Sequence, residues 1–406
     1  MFDCSNLPII IMLTWRKILL HYTFLALTVI STSFLEVEAQ PNNKKLINMV
    51  FTSDAHYGIS RKTFRGGNDV DAHVVNAAMI SEINTLPQLK LPDDGGAGTG
   101  NKVGHIDYLV QTGDIANRME IPYPVAATDW EEFKEDYIEK VQLRDRDGLP
   151  VKLLLAPGNH DITNAIGYYK PMRLKTDPTA MVQIYNKMLK PATLKTNGNY
   201  NFQTDKIHYS INTKGIHLIF ITLWPDSAER VWMEKDLRKI STKTPVLIFT
   251  HDPPECEAKH FTNPNGMHDI NNEDKFENLI SEQYKDGNTA ADDFGNTDIE
   301  QRGLVRFLKK HPNIKAYFHG NSNWNEFYSY RGPDKDVDLK VFRVDSPMKG
   351  KYSAKDEKRL SFQLITLDTQ NQQLTVRECL WNTEPLNQLK SISFGESETI
   401  SLKTRQ

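Results

Sequence analysis

The chain has 406 residues, 39% hydrophobic and 25% charged, with 49 basic against 52 acidic side chains and a formal net charge of −3. That composition belongs to a globular protein long enough for one large or two ordinary domains. The near balance of charge argues against a nucleic-acid or polybasic-membrane partner and for a small ligand.

From the N-terminus, Trp15–Arg16–Lys17 is a short basic flank, Ile18 to Phe34 is mostly apolar, and Val37–Glu38–Ala39 ends on a small residue. This order predicts a secretory signal over residues 1–39, cleaved near Ala39–Gln40, and hence a secreted or periplasmic protein. A membrane anchor is the alternative, although the apolar run contains His21, Thr23, Ser31 and Ser33 and is short for a span. Met12 is an alternative start. No other segment is long enough to cross a membrane, so no membrane partner is expected once the signal is removed. Cys256 and Cys379 then remain, and their spacing does not decide whether they pair.

Short, apolar, β-branched runs predict strands at Leu46–Thr52, Ile106–Gln111, Val151–Ala156, His217–Leu223, Val246–Thr250, Ile314–Phe318 and Leu339–Val344. Helical patterns lie between them at Asp71–Thr85, Asp129–Leu143, Ser227–Ile240 and Asp298–His311. Alternation of this kind predicts α/β layers. Leu360–Leu367 and Gln373–Cys379 read as a hairpin, and residues 386–406 as a polar tail. Two insertions interrupt the rhythm, at about 57–105 and 253–300. The first contains Pro92–Gly100, a glycine-rich stretch without the strand–turn–helix context of a phosphate loop, and is expected to be a surface excursion. The second is rich in Asn and Asp and is expected to rim a site.

Chemistry-bearing residues follow the strands. Asp54 and His56, after the first run, stand two residues apart and so leave a strand on one side. A carboxylate and an imidazole so placed suit a single metal ion, although a polar turn is the ordinary reading of such a pair. Thr112–Gly113–Asp114 with Arg118, Pro157–Gly158–Asn159–His160–Asp161, Thr250–His251–Asp252 and His319–Gly320–Asn321–Ser322–Asn323 follow later strands. Open α/β sheets hold their sites at these C-terminal strand ends.

The series Asp54-x-His56, Gly113-Asp114 with Arg118, Gly158-Asn159-His160-Asp161 and His251 resembles the calcineurin-like metallophosphoesterases over about residues 46–380. The resemblance implies a four-layer α/β/β/α sandwich of two facing mixed β-sheets, formed by residues 40–385, with a two-metal centre at one edge. It implies that Asp54 and His56 bind one divalent ion, that Asp114 bridges, and that Asn159 and His251 bind the second, the ions being Mn, Mg, Zn, Fe or Ca. Such a pair, about 3.5–4 Å apart, clamps a phosphoryl group for in-line displacement. His160 would protonate the leaving oxygen or stabilise charge there, with Asp161 orienting its ring. Arg118 would hold phosphate, brace the site, or make a structural ion pair.

One block departs from the family pattern. Gly320-Asn321-Ser322-Asn323 stands where Gly-His-x-His is usual. Three readings stay open: Asn321 and Asn323 ligate through amide oxygens and favour Mn, Mg or Ca; one metal is lost; or the centre has become a binding site. His319 is a substitute ligand only if strand alternation is broken. His260 and His268 in the second insertion are further substitutes, and Trp324 lines the pocket mouth or packs in the core. The function expected is a metal-dependent phosphoric ester hydrolase acting on a small phosphorylated mono- or diester. The alternative is a non-catalytic or single-metal member of the fold that binds a phosphorylated ligand. Nothing in the sequence indicates an oligomeric state.

Overall fold

The computed structural model describes residues 45–117, 121–162, 177–202, 204–255, 298–387 and 392–403. The signal segment, Arg118, Cys256, His260 and His268 lie outside the described residues.

Two six-stranded mixed sheets form the centre. The first contains β1 (Leu46–Thr52), β4 (Tyr108–Gln111), β5 (Lys152–Leu155), β12 (Ser361–Asp368), β13 (Gln373–Leu380) and β14 (Ser393–Ser401), in the order β14-β13-β12-β1-β4-β5. The second contains β6 (Tyr209–Thr213), β7 (Ile216–Phe220), β8 (Val246–Phe249), β9 (Ile314–His319), β10 (Glu326–Tyr330) and β11 (Leu339–Arg343), in the order β10-β11-β9-β8-β7-β6. β1, β4 and β5 are mutually parallel, as are β7, β8, β9 and β11. Their C-terminal ends therefore emerge together, and the motif residues follow them.

Alternation along each strand builds the layers. Ile47, Met49 and Phe51 of β1 enter a shared apolar cluster with Leu247 and Phe249 of β8 and Phe318 of β9. The Phe51 ring meets Phe249 and Phe318 edge-on at 5.9 and 5.6 Å, so the two sheets pack face to face. Val50 and Leu109 point the other way, into a cluster with Val75, Met79 and Ile80 of α1 (Ala72–Ile83) and Trp130 and Phe133 of α2 (Ala126–Lys134). Ile248 and Tyr317 share that second cluster with Met233 of α4 (Ser227–Leu237) and Leu304 of α5 (Asp298–Lys310). A further helix, α3 (Thr179–Leu189), contributes Met181 and Ile184. The result is the expected four-layer α/β/β/α sandwich.

Several elements differ from the sequence reading. The expected polar tail contains β14, which pairs antiparallel with β13. It is an edge strand rich in Glu and Ser with more than half its residues exposed, so it lacks the apolar run that marks an inner strand. β6 and β10 escape notice for the same reason: both are edge strands with partly exposed faces. The first insertion contains a hairpin of β2 (Ser60–Phe64) and β3 (Gly67–Asp71), and Asp71 caps α1 by accepting from the His73 amide. The helix expected at Asp129–Leu143 begins earlier and closes in a wider turn over Glu135–Glu139. Among the described residues no helix is long and apolar enough to cross a membrane.

Candidate metal centre

Asp54, His56, Asp114, Asn159 and His251 are all buried, and they meet where the parallel strands of both sheets end. The turn after β1 is tied to the turn after β4: the Asp54 amide donates to the Gly113 carbonyl at 2.9 Å and the His56 amide to the Asp114 carbonyl at 2.8 Å. His56 Nε2 lies 3.6 Å from both Asp54 Oδ1 and Asp114 Oδ2. His251 Nε2 lies 3.3 Å from Asp114 Oδ1 and 3.0 Å from Asn159 Oδ1. Two glycines make this closeness possible. A Cβ on Gly158 would stand 2.3 Å from Asp114 Oδ1, and one on Gly320 would stand 2.1 Å from Asp54 Oδ2.

The donors fit divalent ions. Asp54 Oδ1 and both ring nitrogens of His56 are buried without a hydrogen-bond partner, an arrangement that costs free energy unless something coordinates them. Asp54, Asp114 and His251 form one group of potential ligands, and His56, Asp114 and His160 a second, so Asp114 belongs to both. His251 Nδ1 lies 2.7 Å from the Thr112 carbonyl and must donate to it, which fixes the tautomer and leaves Nε2 for a cation.

Electrostatics agree with a site built for cations. Burial, reinforced by the Asp114 charge, raises the Asp54 carboxyl to about 6. Burial and then the Lys349 charge push His56 well below the usual imidazole range. Burial alone would raise Asp114, but the neighbouring His251 and His160 hold it far below the carboxylate range. Burial alone would lower His251, yet Asp114 holds it well above its ordinary value. His251 is thus a proton-bearing partner of Asp114, and a metal ion held there would have to displace that proton.

His160 and Asp161 part company. His160 is half-buried, its backbone amide donates to Asp114 Oδ1 at 2.8 Å, and its Nδ1 donates to the Asn117 carbonyl at 2.8 Å. Nε2 therefore faces the cleft, 3.8 Å from Asp114 Oδ2. Asp161 does not orient that ring, contrary to expectation. Its carboxylate accepts from the amides of Ile115 (2.9 Å), Ala116 (3.2 Å) and Gly158 (2.9 Å), pinning the Asp114 turn to the Asn159 turn. A backbone carbonyl does the work assigned to it, and backbone carbonyls leave no mark in a sequence.

Asn321 and Asn323 line a cleft of about 680 Å³ together with His56, Asp114, Asn159 and His160. The Asn321 amide donates to Asp54 Oδ2 at 3.0 Å. Asn323 Nδ2 donates to the Asn321 carbonyl at 2.6 Å, which leaves Asn323 Oδ1 as a buried acceptor without a partner. His319 does not substitute: its ring nitrogens face the Gly320 carbonyl (2.9 Å) and the Tyr328 hydroxyl (3.3 Å). Trp324 lines the cleft, as do Lys349 and Lys351, which the sequence reading passed over. The signal was present, because Ser346–Pro–Met–Lys–Gly–Lys351 follows the apolar run Leu339–Val344 as the other motifs follow theirs.

The family model for calcineurin-like phosphoesterases matches residues 47–345. Among solved structures, the chain is similar to a dimetal phosphatase from Danio rerio, at 10% identity and a TM-score of 0.44, over 88% of this chain and 99% of that one. It is also similar to Vps29 complexed with zinc from Entamoeba histolytica, at 8% identity and a TM-score of 0.31, over 88% and 100% of the two chains. Vps29 from Chaetomium thermophilum aligns at 9% identity and a TM-score of 0.27, over 87% and 97%. No curated protein matches the sequence.

Proposed function

This chain belongs to the calcineurin-like phosphoesterase family, and from that premise we propose that it hydrolyses a small phosphate mono- or diester with two divalent ions. Asp54, His56, Asp114, Asn159 and His251 would hold them. The observation that carries the reading is the position of Asp114, one carboxylate with an oxygen facing each of two ligand groups. Bound there, the ions supply Lewis acidity and neutralise charge on the phosphoryl group.

The chain's own residues supply position and a proton. Asp161 and the Asp54–Gly113 and His56–Asp114 backbone bonds hold the ligand turns in one arrangement before substrate arrives. His160 is kept in one tautomer by Asn117, so that in its protonated form Nε2 presents a proton to the departing ester oxygen. Asn323 Oδ1 adds a neutral oxygen donor in place of an imidazole, which moves the preference from Zn toward Mn, Mg or Ca. The same asparagines favour a second reading, a single-metal member that binds a phosphorylated ligand without turnover.

Metal analysis of purified protein, followed by a panel of phosphomonoesters and phosphodiesters with Mn, Mg, Zn and Ca, tests the reading. Turnover is expected with at least one ester, abolished by chelation and restored by metal. His160→Ala should reduce kcat far more on esters with poor leaving groups than on activated aryl esters, by about 10²-fold or more. A metal-replete protein that turns over none of the panel, yet binds the esters, would establish the second reading instead.

A further inference from the structure

The loop over residues 345–353 after β11 is held in place from three directions. Ser346 Oγ donates to the Asp54 carbonyl at 2.8 Å and accepts from the Lys349 amide at 2.9 Å. Arg61 of the β2–β3 hairpin donates to the carbonyls of Pro347, at 2.9 Å, and Ser353. The Lys351 amide donates to the Asn323 carbonyl at 2.6 Å, joining this loop to the asparagine loop. The two lysines between these anchors both line the cleft.

Their surroundings differ from those of an ordinary surface lysine. Lys349 Nζ lies 3.4 Å from His160 Nε2, beside the atom assigned to the leaving oxygen. Lys351 Nζ stands 4.1 Å from the centre of the Trp324 ring, while the Arg343 guanidinium stands 3.8 Å from the same centre. Both cations thus lie against the one indole, whose ring electrons favour positive charge. Glu326 offsets Arg343 at 2.6 Å and accepts from Trp324 Nε1 at 3.0 Å, which fixes the indole. Lys351 has no carboxylate partner among the described residues, so its charge is left for the cleft.

We propose that Lys349 and Lys351 form an anion subsite on the leaving-group side of the cleft, which selects phosphoesters whose leaving group carries a second anionic group. This rests on the phosphoesterase reading. The Asp54 and Asp114 carboxylates would offset only half the charge of two divalent ions, and the Lys351 ammonium adds to the positive side, so the cleft suits a polyanion. A neutral alcohol leaving group would leave that charge unused.

A matched pair of esters tests it: 4-carboxyphenyl phosphate and 4-carbamoylphenyl phosphate, similar in shape and differing by one charge. The carboxylate ester is expected to show kcat/KM about tenfold higher or more, the scale of one charge-assisted hydrogen bond. In Lys349→Gln and Lys351→Gln the preference should shrink, with Lys351→Arg restoring it; thermal melts confirm that each variant folds. Equal rates on the two esters in the wild type, or a preference kept in the double variant, would overturn the subsite while leaving the phosphoesterase reading intact. Should no ester be turned over, calorimetric titration of inorganic pyrophosphate and orthophosphate into metal-replete protein decides separately. Tighter pyrophosphate binding that Lys351→Gln abolishes supports the subsite, and equal binding by wild type and variant sinks it.

Discussion

Five residues of the cleft stand on left-handed backbone: Asp54 (φ 57°), His56 (47°), Asp114 (53°), Asn321 (59°) and Asn323 (64°). Each such residue costs about 1 kcal/mol or more, and Asn, Asp and His tolerate the conformation best among residues with a side chain. The conformation turns each side chain off its strand end and into the common space. At the last two positions histidine is therefore tolerated by the backbone, and under the two-metal proposal the choice of asparagine would bear on the metal instead. Replacing Asn321 and Asn323 together with histidine should raise Zn affinity by at least about tenfold, because neutral imidazole is the stronger ligand for that ion. Mn affinity should rise less. Titration of both ions into metal-free wild type and double variant measures this, and unchanged affinities would mean that the pair touches no metal.

Among the elements, the glycine-rich stretch Pro92–Gly100 is less free than its composition suggests. Arg377 of β13, wholly buried, grips Asp94 through two bonds of 2.7 and 2.9 Å and also donates to the Ala97 carbonyl at 3.0 Å. The Ala97 amide donates to Thr375 Oγ1 at 2.8 Å. This loop packs on Leu46, at the opposite end of β1 from Asp54. Arg377→Ala removes the guanidinium partner of Asp94 and a fully buried side chain, and should destabilise the fold by about 1–3 kcal/mol. Hydrogen exchange should increase over residues 92–100 while metal affinity stays the same. A loss of metal affinity matching the loss of stability would show that the two ends of β1 are coupled.

For the molecule as a whole, two buried carboxyls set opposite limbs of the pH–stability curve. Burial alone would raise Asp107, but His105 and Arg146, the latter at 2.6 and 2.7 Å, hold it at about 2 against an ordinary 3.8. A depressed carboxyl stabilises above its unfolded value and loses that contribution as pH falls from about 4 to about 2, on the order of 1–2 kcal/mol after solvent screening. Asp129 lies at the other extreme: burial, then the charge of Glu132, raises it to about 9. Its contribution is complete below about pH 4 and is lost progressively as pH rises from there to about 9. Urea unfolding from pH 2 to 9 should show Asp107→Asn flattening the fall below about pH 4 and Asp129→Asn flattening the fall from about pH 4 to about 9. Parallel curves for wild type and both variants would remove these two groups as the cause.

The sequence by itself determined the inner strands and the residues that gather at their C-terminal ends. Continuous apolar runs reflect burial on both faces, and Asp54, His56, Asp114, Asn159, His160 and His251 follow those runs directly. The edge strands β6, β10 and β14 were not legible because one-sided burial leaves a mixed composition that resembles a loop. Only the tertiary structure decided that Asn117 rather than Asp161 orients His160, since one partner is a backbone carbonyl that any residue could offer. It also decided that Lys349 and Lys351 line the same cleft as His56, Asp114 and Asn159. Their loop follows β11, and only the parallel pairing of β11 with β9 brings that strand end to the same edge as Asn321. Strand order depends on contacts between segments distant in sequence, and no local pattern of residue types carries it.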